Sequence, residues 1–170
     1  MKACCFWMTG LSGAGKTTLA HALRERVNAD GVVRLVVLDG EVVRASLCKD
    51  LGFSAADRME NSRRLAAMAR LLVDAGLVVV VSAISPYRAG RESARAAFVP
   101  GTFYEVHVAT SLQTCMARDV KGLYRKAREG AIAKMPGVSS PYEEPITPDL
   151  RVVGEGDLDA AVSLLLAQLA

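Results

Sequence analysis

Gly10-Leu11-Ser12-Gly13-Ala14-Gly15-Lys16-Thr17 fits the pattern Gly-x-x-x-x-Gly-Lys-Ser/Thr, and its flanks decide what that match means. Ahead of it, residues 3–8 form a short apolar run that reads as a buried strand. Behind it, residues 18–27 carry Leu19, Ala22, Leu23 and Val27 at the spacing of one helix face. A strand that turns through glycines into a helix aims several backbone N–H groups and the positive end of a helix dipole at one spot, which suits phosphate. Glycines serve there because side chains would block the approach of phosphate to the backbone and could not follow the tight turn. A chance glycine-rich turn would lack the two flanks. The expected nucleotide-binding residues are Gly10, Leu11, Ser12, Gly13, Ala14, Gly15, Lys16, Thr17 and Thr18, with Lys16 reaching the β- and γ-phosphates and the Thr17 hydroxyl holding Mg²⁺. The sequence is that of a nucleoside triphosphate-binding protein.

With 170 residues, 51% of them hydrophobic, the chain is long enough to bury a full core in one domain and too apolar to be disordered. Its longest nearly continuous apolar run, residues 77–84, is too short to span a bilayer, and Asp74 lies just before it. A single lysine precedes the first strand, so no signal peptide and no membrane association are expected. A net charge of +3 is too small to imply a nucleic-acid partner. The four cysteines, Cys4, Cys5, Cys48 and Cys115, show no zinc-finger spacing; adjacent Cys4 and Cys5 point to opposite faces of one strand. Reduced thiols in a cytoplasmic protein follow.

Further along, residues 28–31 have turn composition and residues 32–38 read as a second strand ending in Asp39-Gly40. A short helical segment follows, with Val42, Val43 and Leu47 on its apolar side. Ser54 and Asp57 have capping-box spacing and open a long helix to about residue 75, with a core stripe of Leu65, Met68, Ala69 and Leu72. Continued toward the N-terminus, that stripe meets Asn61 and Arg58, as expected for a helix start that lines a cleft. Residues 77–83 are the third strand; residues 84–88 leave its end and begin another helix with Pro86 near the first turn. Residues 103–108 make the fourth strand and 112–118 a short helix. From 121 to 148 Lys121, Arg125, Lys126, Arg128 and Lys134 crowd together and four prolines follow, so this stretch reads as a lid rather than core. Residues 150–153 form a last strand and 158–169 a closing helix.

Apolar strands alternating with helices predict an α/β three-layer sandwich around a five-stranded parallel sheet, a single kinase-like P-loop domain over residues 1–170. Ligands in such sheets bind beyond the strand C-termini, where the phosphate loop, Asp39 and Ser85 all fall. A GTPase would carry an Asn-Lys-x-Asp motif, which is missing, and a motor ATPase a carboxylate after the third strand, where Ser82-Ala83 stand. Small size and a basic lid favour a kinase that closes over a small acceptor and excludes water.

The chain resembles the adenylylsulfate (APS) kinases over nearly its whole length. The resemblance is carried by residues 6–18, by Leu38-Asp39-Gly40 with Val43-Arg44, by residues 49–54, by Asp57-Arg58 with Glu60-Asn61 and Arg63-Arg64, by residues 74–78 and 84–88, by Arg118-Asp119, by residues 121–124 and by residues 140–143. It implies Mg²⁺- and ATP-dependent phosphorylation of the ribose 3′-hydroxyl of adenosine 5′-phosphosulfate, giving PAPS, within sulfate assimilation, with small nucleotides as partners and a homodimer as a candidate assembly. It also implies roles. Asp39 accepts the hydroxyl proton or organises Mg²⁺ together with Thr17. Arg44, Arg58 and Asn61 contact the acceptor's phosphosulfate and ribose, and Phe53 stacks on its adenine. Arg118 packs on the ATP adenine, and Ile84 and Lys121 border the acceptor. Ser85 matches a serine assigned in the family as a phosphorylated intermediate, although direct in-line transfer favours a positioning role. The sequence departs from the family pattern at Glu41, Val42, Ala45, Ser46 and Cys48, expected on the acceptor side, and has Met135 where the family places a phenylalanine over adenine. A kinase for another nucleotide 5′-derivative, as in the cytidine diphosphoramidate kinases, and a nucleotide-binding regulator without turnover are the alternatives.

Overall fold

The computed structural model describes residues 1–170. In chain order the elements are β1 (Cys5–Thr9), α1 (Lys16–Val27), β2 (Leu35–Asp39), α2 (Gly40–Ala45), α3 (Ala55–Asp74), β3 (Val78–Ser82), α4 (Arg88–Ala96), β4 (Phe103–Val108), α5 (Leu112–Arg118), α6 (Leu123–Arg128), β5 (Leu150–Val152) and α7 (Leu158–Leu166), with a closing 3₁₀ turn at Ala167–Leu169. The strands pair in parallel in the order β2-β3-β1-β4-β5. The phosphate loop therefore leaves the central strand, with β3 on one side and β4 on the other.

β1 shows why the sheet is covered on both faces. Cys4, Phe6 and Met8 join the core beneath α1 and α7, with Leu19, Leu23 and Leu165. Cys5 and Trp7 point the other way, into a core with Leu65, Ala69 and Phe98 under α3 and α4. All five residues of β1 and of β3 are buried, which is how parallel strands between two helical layers read as unbroken apolar runs. The expected α/β three-layer sandwich is thus the observed fold.

At α3 the capping box is complete: Ser54 Oγ accepts from Asp57 N, and Asp57 accepts from Ser54 N. The buried stripe is Leu65, Ala66, Ala69 and Val73, with Met68 and Leu72 at its margin rather than its centre. Arg58 and Asn61 continue it as buried residues of the first turns, as the cleft reading requires.

Three expectations change. β2 begins at Leu35, not at residue 32, because Asn28 Oδ1 accepts from Arg34 N (2.9 Å) and Leu35 N (3.1 Å) and holds the preceding chain as a loop. Val32 and Val33 lie exposed in that loop. On α2 only Val43 faces the core; Val42 and Leu47 are exposed, since six residues leave room for one buried position under a short helix. The 121–148 stretch is also not free of core. It contains α6, whose Tyr124 is fully buried and donates from Oη to Ser12 O (2.8 Å), and Met135 joins the same cluster. The first part of this stretch is a plug behind the phosphate loop.

Candidate active site

The loop after β1 closes because Gly10, Gly13 and Gly15 go where side chains cannot. Gly13 and Gly15 have φ of 76° and 103°, and a Cβ on Gly10 would meet Val108 O at 2.6 Å. Lys16, the first residue of α1, folds back so that Nζ donates to Gly10 O (2.9 Å) and Leu11 O (2.8 Å). Burial pushes its ammonium down to about 8 from an ordinary 10.5, with Asp39 and Glu41 nearby working weakly the other way. An ammonium held this way is ready for the charge of a polyphosphate.

Thr17 Oγ1 donates to Asp39 Oδ2 (3.1 Å) and lies 3.3 Å from Ser82 Oγ. Asp39 divides its carboxylate: Oδ1 caps α2 by accepting from Glu41 N (2.9 Å) and Val42 N (3.4 Å), while Oδ2 faces the phosphate loop. The helix cap and the contact with the phosphate loop thus belong to different oxygens of one side chain.

Across the cleft, the Arg44 and Arg58 guanidiniums lie 4.6 and 5.4 Å from the centre of the Phe53 ring. Their hydrogen bonds go to backbone carbonyls only: Arg44 to Gly52 O (2.9 Å), and Arg58 to Phe53 O (3.3 Å) and Lys134 O (2.8 Å). Neither forms an ion pair with a carboxylate, and burial works against the charge of both. Two partly buried cations without a counter-ion, facing one cleft, make a site for an anion. Beside them Asn61 Oδ1 is buried with no hydrogen-bond partner, so it has an acceptor lone pair to offer a ligand.

Ser85 lies buried in the turn after β3 at a φ of 45°. Its Oγ accepts from Trp7 Nε1 (3.1 Å) and its carbonyl accepts from Arg91 Nη1 (2.7 Å). From the chain just before α6, Lys121 forms an ion pair with Glu41. Arg118 reaches back to Gly13 O (3.4 Å) and Gly154 O (3.3 Å).

All these side chains border one cleft of about 1140 Å³, which also takes in Thr18, Ile84 and Met135. Gly10, Leu11 and Ala14 do not reach its wall. Gly10 is pressed against β4, and Leu11 and Ala14 are buried in the core, so these three shape the loop from behind. The departures are also relocated. Only Glu41 faces the cleft; Cys48 is buried in the core under α3, and Val42, Ala45 and Ser46 stand on the outer side of α2. Met135 borders the cleft from within a packed cluster, 4% exposed.

Gly154 carries no sequence signal, yet a Cβ there would lie 2.1 Å from Thr110 Oγ1 and 2.2 Å from Ala14 O. The chain after β5 thus braces the phosphate loop. Gly154→Ala is expected to lose about 1–3 kcal/mol of stability from overpacking and to raise the KM for ATP at least severalfold. Thermal melting and initial rates at varied ATP check this; an unchanged KM would show that the loop yields without harm.

A model described as adenylylsulphate kinase matches residues 2–153. The chain belongs to the adenylylsulphate kinase family. The adenylyl-sulfate kinase of Shewanella denitrificans is 55% identical to it over 164 residues, covering 96% of this chain and 80% of that one. Among solved structures, the Mycobacterium tuberculosis APS kinase in complex with AMPPNP and APS superposes with a TM-score of 0.93 at 42% identity, covering 99% of this chain and 98% of that one. The hexameric APS kinase from Thiobacillus denitrificans matches at 31% identity and a TM-score of 0.70, covering 99% of this chain and 29% of that one. In this kinase family member no helix is long and apolar enough to cross a membrane.

Proposed function

We propose that this chain transfers the γ-phosphoryl group of ATP to the ribose 3′-hydroxyl of adenosine 5′-phosphosulfate, giving PAPS. The observation that carries this reading is the pair of unpaired guanidiniums, Arg44 and Arg58, around Phe53 in the same cleft as the phosphate loop. A phosphate-loop protein that only binds or hydrolyses a nucleotide has no use for a second, anion-selective wall. A relative of 42% identity is known with APS and AMPPNP bound together. The position of the departures supports APS over other nucleotide derivatives, because all but Glu41 and Met135 lie away from the cleft.

In this reading the phosphate loop and Lys16 hold the triphosphate. The smaller hollow of about 250 Å³ bounded by Thr18, Arg118, Gly154 and Leu158 seats its base. Arg44 and Arg58 take the phosphosulfate, Phe53 the acceptor adenine, and Asn61 the ribose or base. Asp39 then lies where the 3′-hydroxyl must lose its proton. Thr17, Asp39 and Ser82 offer oxygen donors only, which suits Mg²⁺ riding on nucleotide phosphates. When bound, Mg²⁺ supplies neutralisation of the charge that spreads over the transferring group. We further propose one kinase domain with residues 121–148 as its lid, a homodimer in solution, and a reducing cytoplasmic setting, which four free buried thiols support.

A screen of nucleotide 5′-derivatives with γ-labelled ATP tests the reading: APS should give a 3′-phosphorylated product, and a label found only on a cytidine derivative would overturn it. Ser85→Ala should keep at least about a tenth of the wild-type rate, because direct in-line transfer needs no phosphoserine and the hydroxyl is engaged with Trp7. Quench-flow capture of a kinetically competent phosphoserine would reverse that assignment.

A further inference from the structure

Arg91 is 2% exposed, lies outside the cleft and ties three separate stretches of chain to one guanidinium. Its Nε donates to Glu105 Oε1 on β4 (2.5 Å), its Nη1 to Ser85 O in the turn after β3 (2.7 Å), and its Nη2 to Glu143 O in the last part of the 121–148 segment (2.7 Å). Ser85 is one of only two non-glycine residues at positive φ, a conformation that lasts only where its surroundings enforce it. Glu143 is fastened to the same turn: its N–H donates to Pro86 O (2.8 Å), its carboxylate accepts from Arg88 N (2.8 Å), and neighbouring Tyr142 shares a hydrogen bond with Thr9 Oγ1 (3.0 Å). A guanidinium is the one side chain whose fixed fork can span three acceptors at once.

Resting on the function proposed above, we infer that Arg91 is a positioning residue that locks the exit of the lid to the Ser85 wall of the acceptor site, so that the lid segment bearing Met135 closes onto the acceptor in one register. The phosphate loop has no bond to Arg91, so the loss should fall on the acceptor and spare ATP. Glu105 serves as the contrast. Its side chain, 14% exposed, holds the Arg91 charge from the sheet side and makes no hydrogen bond to the lid or the turn.

The test compares three variants. Arg91→Lys keeps the charge but cannot span the fork; it should raise the KM for APS about tenfold while the KM for ATP stays within twofold. Glu105→Gln leaves both carbonyl bonds in place; it should lower the melting temperature with both KM values near wild type. Tyr142→Phe removes the neighbouring anchor at a partly exposed position and should raise the APS KM about threefold, so the inference remains measurable if Arg91→Lys does not fold. Trypsin supplies a readout without any acceptor, through the exposed Arg125, Lys126 and Arg128 of the lid. Cleavage there should quicken about fivefold in ligand-free Arg91→Lys or Tyr142→Phe and stay unchanged in Glu105→Gln. If both KM values rise together, or all variants are cleaved alike, Arg91 is merely structural and the inference falls. If wild-type protein ignores APS, the proposed function falls, and the trypsin comparison still decides the lock.

Discussion

Lys16→Ala is expected to lower turnover by at least about 10²-fold, the scale seen when one preorganised charge-stabilising group is lost from an active site. The fold should be kept but some stability lost, because Nζ is the side-chain donor to the buried Gly10 and Leu11 carbonyls and its removal leaves both acceptors without it. The same side chain predicts a pH effect. In the free protein its pKa is about 8, while the polyphosphate of ATP favours the charged form and raises it. ATP binding should therefore take up protons between pH 8 and 9, and ATP affinity should weaken as pH rises through about 8. The contribution to folding has the opposite sign: below about pH 8 the buried ammonium opposes folding, and stability recovers as pH rises toward 10.5, where the unfolded chain would still bind the proton. Calorimetry in buffers of different ionisation enthalpy reads the uptake. A Lys16→Ala protein with near-normal turnover would remove the phosphate-loop assignment altogether.

Asp39→Asn should separate the two jobs of this carboxylate. Asparagine caps helices as well as aspartate does, so Glu41 N and Val42 N keep their acceptor and stability should hold. The charge facing Thr17 is lost, and kcat should fall on the order of 10²-fold or more, with ATP affinity much less affected. Asp39→Ala should add the missing cap, about 1 kcal/mol of stability, to the same kinetic loss. Rates with saturating ATP and thermal melts on both variants check this. If Asp39→Asn turned over normally while Asp39→Ala merely melted early, Asp39 would be a helix cap and nothing more.

What the sequence made legible was whatever depends on local backbone geometry. A glycine-lysine-threonine loop between a strand and a helix admits few other residues, and the Ser54–Asp57 box marks its helix start within four positions. The alternation of Cys4, Cys5, Phe6 and Trp7 between two cores followed from the two-residue period of a strand. Residues whose role depends on distant chain were not legible. Gly154 matters because Ala14 comes within 2.2 Å of where its Cβ would stand, and Arg91 because Glu143 lies 52 residues further on. Tyr124 was hidden by the cations around it, which dress the outer face of α6 and conceal that its inner face is anchored. The acceptor side was misjudged in part for the same reason. On a six-residue helix with a single buried residue, the sequence does not show which positions turn away from the cleft.

The strand order has a consequence for synthesis. β1 occupies the middle of the sheet, yet both of its partners are made much later, β3 at residue 78 and β4 at residue 103. At roughly 5–20 residues per second, the interval between β1 and β4 leaves Cys5–Thr9 without its flanking strands for roughly 5–20 seconds on the ribosome. During that wait a phenylalanine, a tryptophan, a methionine and one thiol that end wholly buried lack those partners beside the nascent phosphate loop. The phosphate loop is packed against Val108 and Gly154, so it is fully braced only once the chain has been made to residue 154. Until β3 and β4 are made, the first ten residues are the apolar segment that waits longest for its partners.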